Sequence, residues 1–194
     1  MKPVAFLLLC FVAIARIAAQ NPPRAGKVLT PEQQQHRQQF KQYLGERRRL
    51  QAQAQQAYDT EIGRADRNGG ECDDAQGTRE QEECLSKQSE TTQADFQNFS
   101  SAIRALLALS PSGDDEAPSV GPSGPALTAA QSVAEFDKVE QLWKQYSGEL
   151  CSAAFHQGGG GTISPVLELE CRQDSMRNHM RDLHRAYGLL LTLR

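Results

Sequence analysis

Apolar and polar positions along the chain fall into four segments with helical period, and no run alternates with the period of a sheet face. In the first segment Phe40, Tyr43, Leu44, Leu50, Ala54, Ala57, Tyr58 and Ile62 share one helical face. Thr30-Pro31-Glu32-Gln33 supplies its start: Thr30 as N-cap, Pro31 at the first helical position and Gln33 closing a capping box. The helix is predicted to end between Gly63 and Asn68, before Gly69-Gly70. Its Gln, Ala and Arg bias would also fit disorder, but the cap and the periodicity favour a helix. The second segment runs from Thr78 to about Leu109, with Leu85, Phe96, Phe99, Ile103, Leu106 and Leu107 as its face. Thr78 and Gln81 again have capping-box spacing. The third runs from about Leu127 to Phe155, with Ala130, Val133, Phe136, Val139, Leu142, Trp143, Tyr146 and Leu150 on one face. Gly158 to Gly161 stop it, because four glycines cannot hold a helix. Ser164-Pro165 then starts a fourth helix that reaches about Leu191, with Val166, Leu167, Leu169, Met176, Met180, Leu183, Tyr187, Leu190 and Leu191 apolar. The fold class expected is all-α, an antiparallel bundle of about four helices stapled by two disulfides.

Two stretches stand outside this pattern. Ser110 to Pro125 holds four of the nine prolines with Ser, Gly and an Asp114-Asp115-Glu116 run, and reads as a flexible linker or long loop open to proteases. At the start, Lys2 precedes the apolar run Val4 to Ala15, and Ile17-Ala18-Ala19 offers small residues before Gln20. This is the pattern of a secretory signal peptide cut after Ala19, or after Ala15 given Arg16. The expected organisation is a signal peptide over 1–19, a helical extension over 20–69 and a helical domain over 70–194, with the linker at 110–126.

Charge narrows the partner class. The 194 residues carry 21 Lys and Arg against 24 Asp and Glu, a net charge of −3. Without residues 1–19, which hold Lys2 and Arg16 and no acid, the balance is 19 against 24, or −5. That argues against a general nucleic-acid binder, which needs a basic face to release counterions. No further long apolar run suggests stable membrane insertion. Residues 20–58 hold seven basic and two acidic side chains, whereas 59–83 hold three basic and nine acidic. Such a distribution is either a solvated helix beside an acidic loop or a dipolar surface that steers a charged partner.

Of the five cysteines, Cys10 lies in the apolar leader and Cys72, Cys84, Cys151 and Cys171 remain. An even count in an exported chain implies two disulfides, with three connectivities open. Proximity in the helical reading favours Cys72–Cys84, across the turn into the second helix, and Cys151–Cys171, across the glycine hairpin. A metal or redox site would want Cys-x-x-Cys spacing or nearby His, and neither is present.

With these cysteines in place, the stretch from Cys72 to about Leu183 resembles the N-terminal domain of LprI-type lysozyme inhibitors. The resemblance rests on Cys72 and Cys84 with Ala75 and Thr78 between them, Ala94-Asp95, and Trp143-Lys144-Gln145-Tyr146 ahead of Cys151. The glycine loop, Pro165, Cys171 and Leu183 complete it. Ser147-Gly148 stands where the family often has Arg-Asp, and residues 20–69 lie outside the resemblance. It implies an exported helical domain that binds a lysozyme-like muramidase.

Candidate residues each carry a plain alternative. Trp143, the only tryptophan, and Tyr146 read as core residues, with Trp143 alternatively an aromatic anchor for a partner. Gly158, Gly159 and Pro165 read as structural elements of the hairpin. The loop could also be a binding loop, with His156 and Ser164 as its polar contacts, and Asp73 and Asp74 as acidic contacts to a basic partner. His179 and His184 are five apart, the wrong spacing for a metal pair on one helix face, and read as surface residues. Arg172, Arg177, Arg181 and Arg185 read as a solvated basic side of the last helix. There is no Gly-x-Ser-x-Gly or His-Glu-x-x-His, and a glycosidase carboxylate pair would need a cleft. No catalytic residue, metal or cofactor is therefore expected. The expected function is binding: inhibition of a lysozyme-like muramidase or, alternatively, an envelope interaction through the N-terminal helix.

Overall fold

The computed structural model describes residues 29–67, 72, 74–110, 120–121, 124–125 and 127–192. The predicted signal segment, Asp73 and most of the predicted linker lie outside the described residues. The elements are α1 (Pro31–Arg67), α2 (Thr78–Ala108), β1 (Val120–Gly121), β2 (Gly124–Pro125), α3 (Ala129–Gln157), α4 (Ser164–Ala186) and α5 (Gly188–Thr192). The protein is an all-α bundle carrying both expected disulfides. β1 and β2 form a two-residue antiparallel ladder, Val120 opposite Pro125, inside the stretch read as linker. A ladder that short leaves no period for sequence analysis to detect.

Local chemistry explains most helix ends. Thr30 and Gln33 form the expected reciprocal box: the Thr30 amide donates to Gln33 Oε1 (3.1 Å) and the Gln33 amide to Thr30 Oγ1 (3.3 Å). Thr128 and Gln131 repeat it at the start of α3, at 2.9 and 3.2 Å. Two starts differ from expectation. The N-cap of α2 is Gly77, not Thr78, and Glu80 reaches back to accept the Gln76 amide at 2.9 Å. Ser164 is the first helical residue of α4 rather than its cap, with Pro165 in the first turn. The last helix also ends at Ala186, and α5 resumes beyond Tyr187.

The core lies among α2, α3 and α4, where Phe99, Ile103, Phe136 and Met180 are fully buried. Cross-helix pairs set the directions. Arg104 meets Asp137 while Ser100 meets Glu140, so α2 and α3 are antiparallel. Cys151 meets Cys171 while Glu140 meets His179, so α3 and α4 are too. From Leu50 onward α1 joins the same core through Leu50, Ala54 and Ala57. Residues 31–42 of α1 are exposed all round.

A buried ionic cluster ties α1 to α2 and α4. Glu61 has no exposed surface. Its Oε1 accepts from Thr92 Oγ1 (2.9 Å) and Arg177 Nε (2.8 Å). Arg64 pairs with its other oxygen and also with Asp95 at 3.0 Å. Both disulfides bracket the first turns of α4: Cys72–Cys84 packs in a small satellite core with Leu85, Val166 and Leu169, and Cys151–Cys171 joins α3 to α4. Among the described residues no helix is long and apolar enough to cross a membrane.

Candidate functional site

Helix α3 shows two faces. Phe136, Glu140 and Cys151 are buried, and Trp143 is half-buried against Phe96. Val139, Leu142, Tyr146 and Leu150 follow at steps of three and four on the solvent side. Tyr146, expected in the core, is 64% exposed. The cause is geometric: α3 meets α2 and α4 along the Phe136–Glu140–Trp143–Cys151 line, and its apolar sector is wider than that contact. What remains is an exposed apolar ridge about three turns long.

Beneath Trp143 runs a chain of polar contacts. His179 lies with its ring parallel to the Trp143 ring, centroids 4.4 Å apart. Its Nε2 is 2.7 Å from Glu140 Oε1, and Ser100 Oγ donates to Glu140 Oε2 at 3.1 Å. His179 is therefore a buried residue, correcting the expectation of a surface histidine; only His184, stacked on Tyr58, is half-exposed. At the rim, Arg104 grips Asp137 with two hydrogen bonds of 2.7 and 2.8 Å. That hydrogen bonding, aided by the guanidinium charge, holds the Asp137 carboxyl below its usual value. Burial, reinforced by the charges of Glu135 and Glu140, pushes the Tyr187 phenol up.

Two depressions flank Trp143. One, about 780 Å³, lies between α2 and α3 with α4 at its base, floored by Phe96, Phe136, Trp143 and Met176. The other, about 520 Å³, lies between α3 and α4. Its α3 wall is apolar, with Tyr146 and Leu150, and its α4 wall carries Asp174, Asn178 and Asp182 one turn apart.

The glycine loop makes a tight hairpin. Gly159 and Gly160 have φ of +64° and +74°, the left-handed region that glycine enters without strain. Gly158 is needed for space: a Cβ there would lie 2.9 Å from the Ser164 backbone and closer still to its hydroxyl. Ser164 is fully buried and its hydroxyl has no hydrogen-bond partner among the described residues, so it is not the accessible polar contact that was expected. His156 is exposed at the end of α3, and its ring meets that of Phe155 edge-on. Asp74 is exposed beside the Cys72–Cys84 bridge, Asp73 lies outside the described residues, and Pro165 is half-buried in the first turn of α4. Of these partner-contact candidates, His156 and Asp74 are exposed and Ser164 is buried. Sequence reasoning missed the groove residues Glu140 and Ser100. Among the described residues no three His, Cys, Asp or Glu side chains gather as metal ligands.

Comparison with protein-family models, with curated proteins and with solved structures finds no match to this chain.

Proposed function

We propose that this is an exported binding protein that docks on a lysozyme-like muramidase and obstructs its cleft. The observation that carries the docking part is the exposed ridge of Val139, Leu142, Tyr146 and Leu150. Folded monomers rarely leave a contiguous apolar patch uncovered unless a partner uses it. On the α4 wall beside the ridge Asp182 is paired with Arg185, but Asp174 has no ion-pair partner among the described residues and complements a basic enzyme. The choice of target rests on the resemblance to LprI-type inhibitors. Two disulfides are compatible with an oxidising space outside the cytosol.

The test is muramidase activity on cell-wall substrate with the oxidised chain from Gln20 onward added across a salt series. Stoichiometric inhibition that weakens with salt supports the proposal. No inhibition of several lysozyme classes at micromolar protein sinks it.

A second reading, an envelope protein that docks through α1, is favoured by one observation: residues 31–42 are helical and exposed all round. Deleting residues 20–42 removes that arm without touching the core, which α1 enters at Leu50. Loss of envelope association with inhibition intact would favour this second reading.

A further inference from the structure

The groove between α2 and α3 lies on the other side of Trp143 from the ridge, and docking leaves it unused. Its floor is aromatic and apolar, yet its walls carry hydroxyls and amides together with the charged Arg104, Asp137, Glu140, Lys144 and Arg172. Gln93 and Gln97 stand one turn apart on α2, and Lys144 faces them from α3. Among the described residues none of these three side chains has a protein partner. Deeper in the groove Glu140 is about nine-tenths buried. Each of its oxygens takes one hydrogen bond, from His179 and from Ser100, and each can accept a second.

Ligand class follows from what these walls can and cannot satisfy. Arg104 and Arg172 are held by Asp137 and Glu168, which leaves Lys144 as the one unengaged cation among the described residues of the lining. One ammonium is too little for a nucleotide or polyphosphate. A lipid tail would leave the glutamines and serines facing hydrocarbon, at a cost for every unmet polar group. A sugar ring meets both demands. Its C–H faces can lie on an aromatic surface, and its edge of hydroxyls both donates and accepts.

We infer that the α2–α3 groove is a carbohydrate site that takes a short oligosaccharide, with a ring against the exposed part of Trp143 and hydroxyls toward Glu140, Gln93, Gln97 and Lys144. Its volume of about 780 Å³ falls in the range of small-molecule pockets, roughly 300–1,000 Å³. The inference is independent of the muramidase reading, because it uses a different surface.

Trp143 is the only tryptophan and lines both depressions, so intrinsic fluorescence reports binding at either, and the variants below assign it to this groove. The oxidised chain from Gln20 is screened on a glycan array, and the fluorescence is titrated with any array hit, chitotetraose, cellotetraose and maltotetraose. Citrate and inorganic phosphate serve as anions without a sugar ring. The expected result is a saturable change with at least one oligosaccharide and none with either anion. Calorimetry on Gln97→Ala and Lys144→Ala should then show affinity reduced about tenfold. Ser101→Trp, an exposed position at the groove mouth, should block binding with the core untouched. A flat response to every oligosaccharide at about 10 mM with no array hit overturns the inference. So does an equal response to phosphate, or glycan binding that survives Ser101→Trp.

Discussion

Glu61, Glu140 and His179 are the side chains whose burial says most about this molecule, and an apolar-periodicity reading passes over all three. Each sits in helical register with the core: Glu61 one turn after Ala57, Glu140 one turn after Phe136, and His179 between Met176 and Met180. Counting apolar residues alone marks such positions as gaps in the face. The available signal was the register itself, which puts these polar groups where they must find partners. Glu61 gives the sharpest consequence. Glu61→Ala leaves Arg177 and Arg64 without their shared buried carboxylate and should destabilise the fold by about 3–5 kcal/mol in chemical denaturation. Thr92→Val, which removes one neutral donor to the same carboxylate, should cost about 1 kcal/mol. Asp137 supplies a pH test. Its folded pKa is depressed, so the Arg104 link stabilises the fold above the ordinary aspartate value of about 3.9 and fades as pH falls through the lower folded value. An NMR titration should place Asp137 below that value, and Arg104→Met should return it to the ordinary range.

At the scale of elements, the start of α1 and the glycine break between α3 and α4 were legible because they are written in adjacent residues, whereas the caps of α2 and α4 and the end of α4 were not. The Thr30–Gln33 box and the Gly158–Gly161 hairpin are local chemistry, and both are present. Which part of a broad apolar sector turns inward was not legible, because neighbouring helices decide it. α3 is the case in point: its Phe136 went in, while Leu142 and Tyr146 stayed out. Two glycines make opposite predictions. Gly148 lies inside α3 with nothing within 4 Å of a Cβ placed there. Gly148→Ala should therefore stabilise by about 0.5–1 kcal/mol through helix propensity. Gly158→Ala forces the Ser164 backbone to move, and should cost about 1–3 kcal/mol. Thermal and urea unfolding of the two variants should move in opposite directions.

For the whole molecule, the four-helix class and the cysteine pairing were readable from spacing, since each bridge joins segments close in sequence, 12 and 20 residues apart. Packing of α1 against α2 and α4 was not readable. It depends on the Glu61 cluster and on small residues such as Ala54, whose partners lie far along the chain. The two bridges act at the α4 start, so replacing Cys151 and Cys171 with Ser should loosen that end. The expected loss is about 2–4 kcal/mol in denaturant unfolding. The ridge on α3 also belongs to this scale, since it exists only because the bundle leaves one apolar sector uncovered. The direct test of the docking proposal is the stoichiometry of muramidase inhibition by the wild-type chain beside Leu142→Asp and Tyr146→Ala, both at exposed positions that leave the core intact. The account predicts inhibition near one to one for the wild type and a loss of at least tenfold in affinity for each variant. Wild-type inhibition that both variants retain in full would contradict docking through this ridge, and its absence in the wild type would contradict the muramidase target.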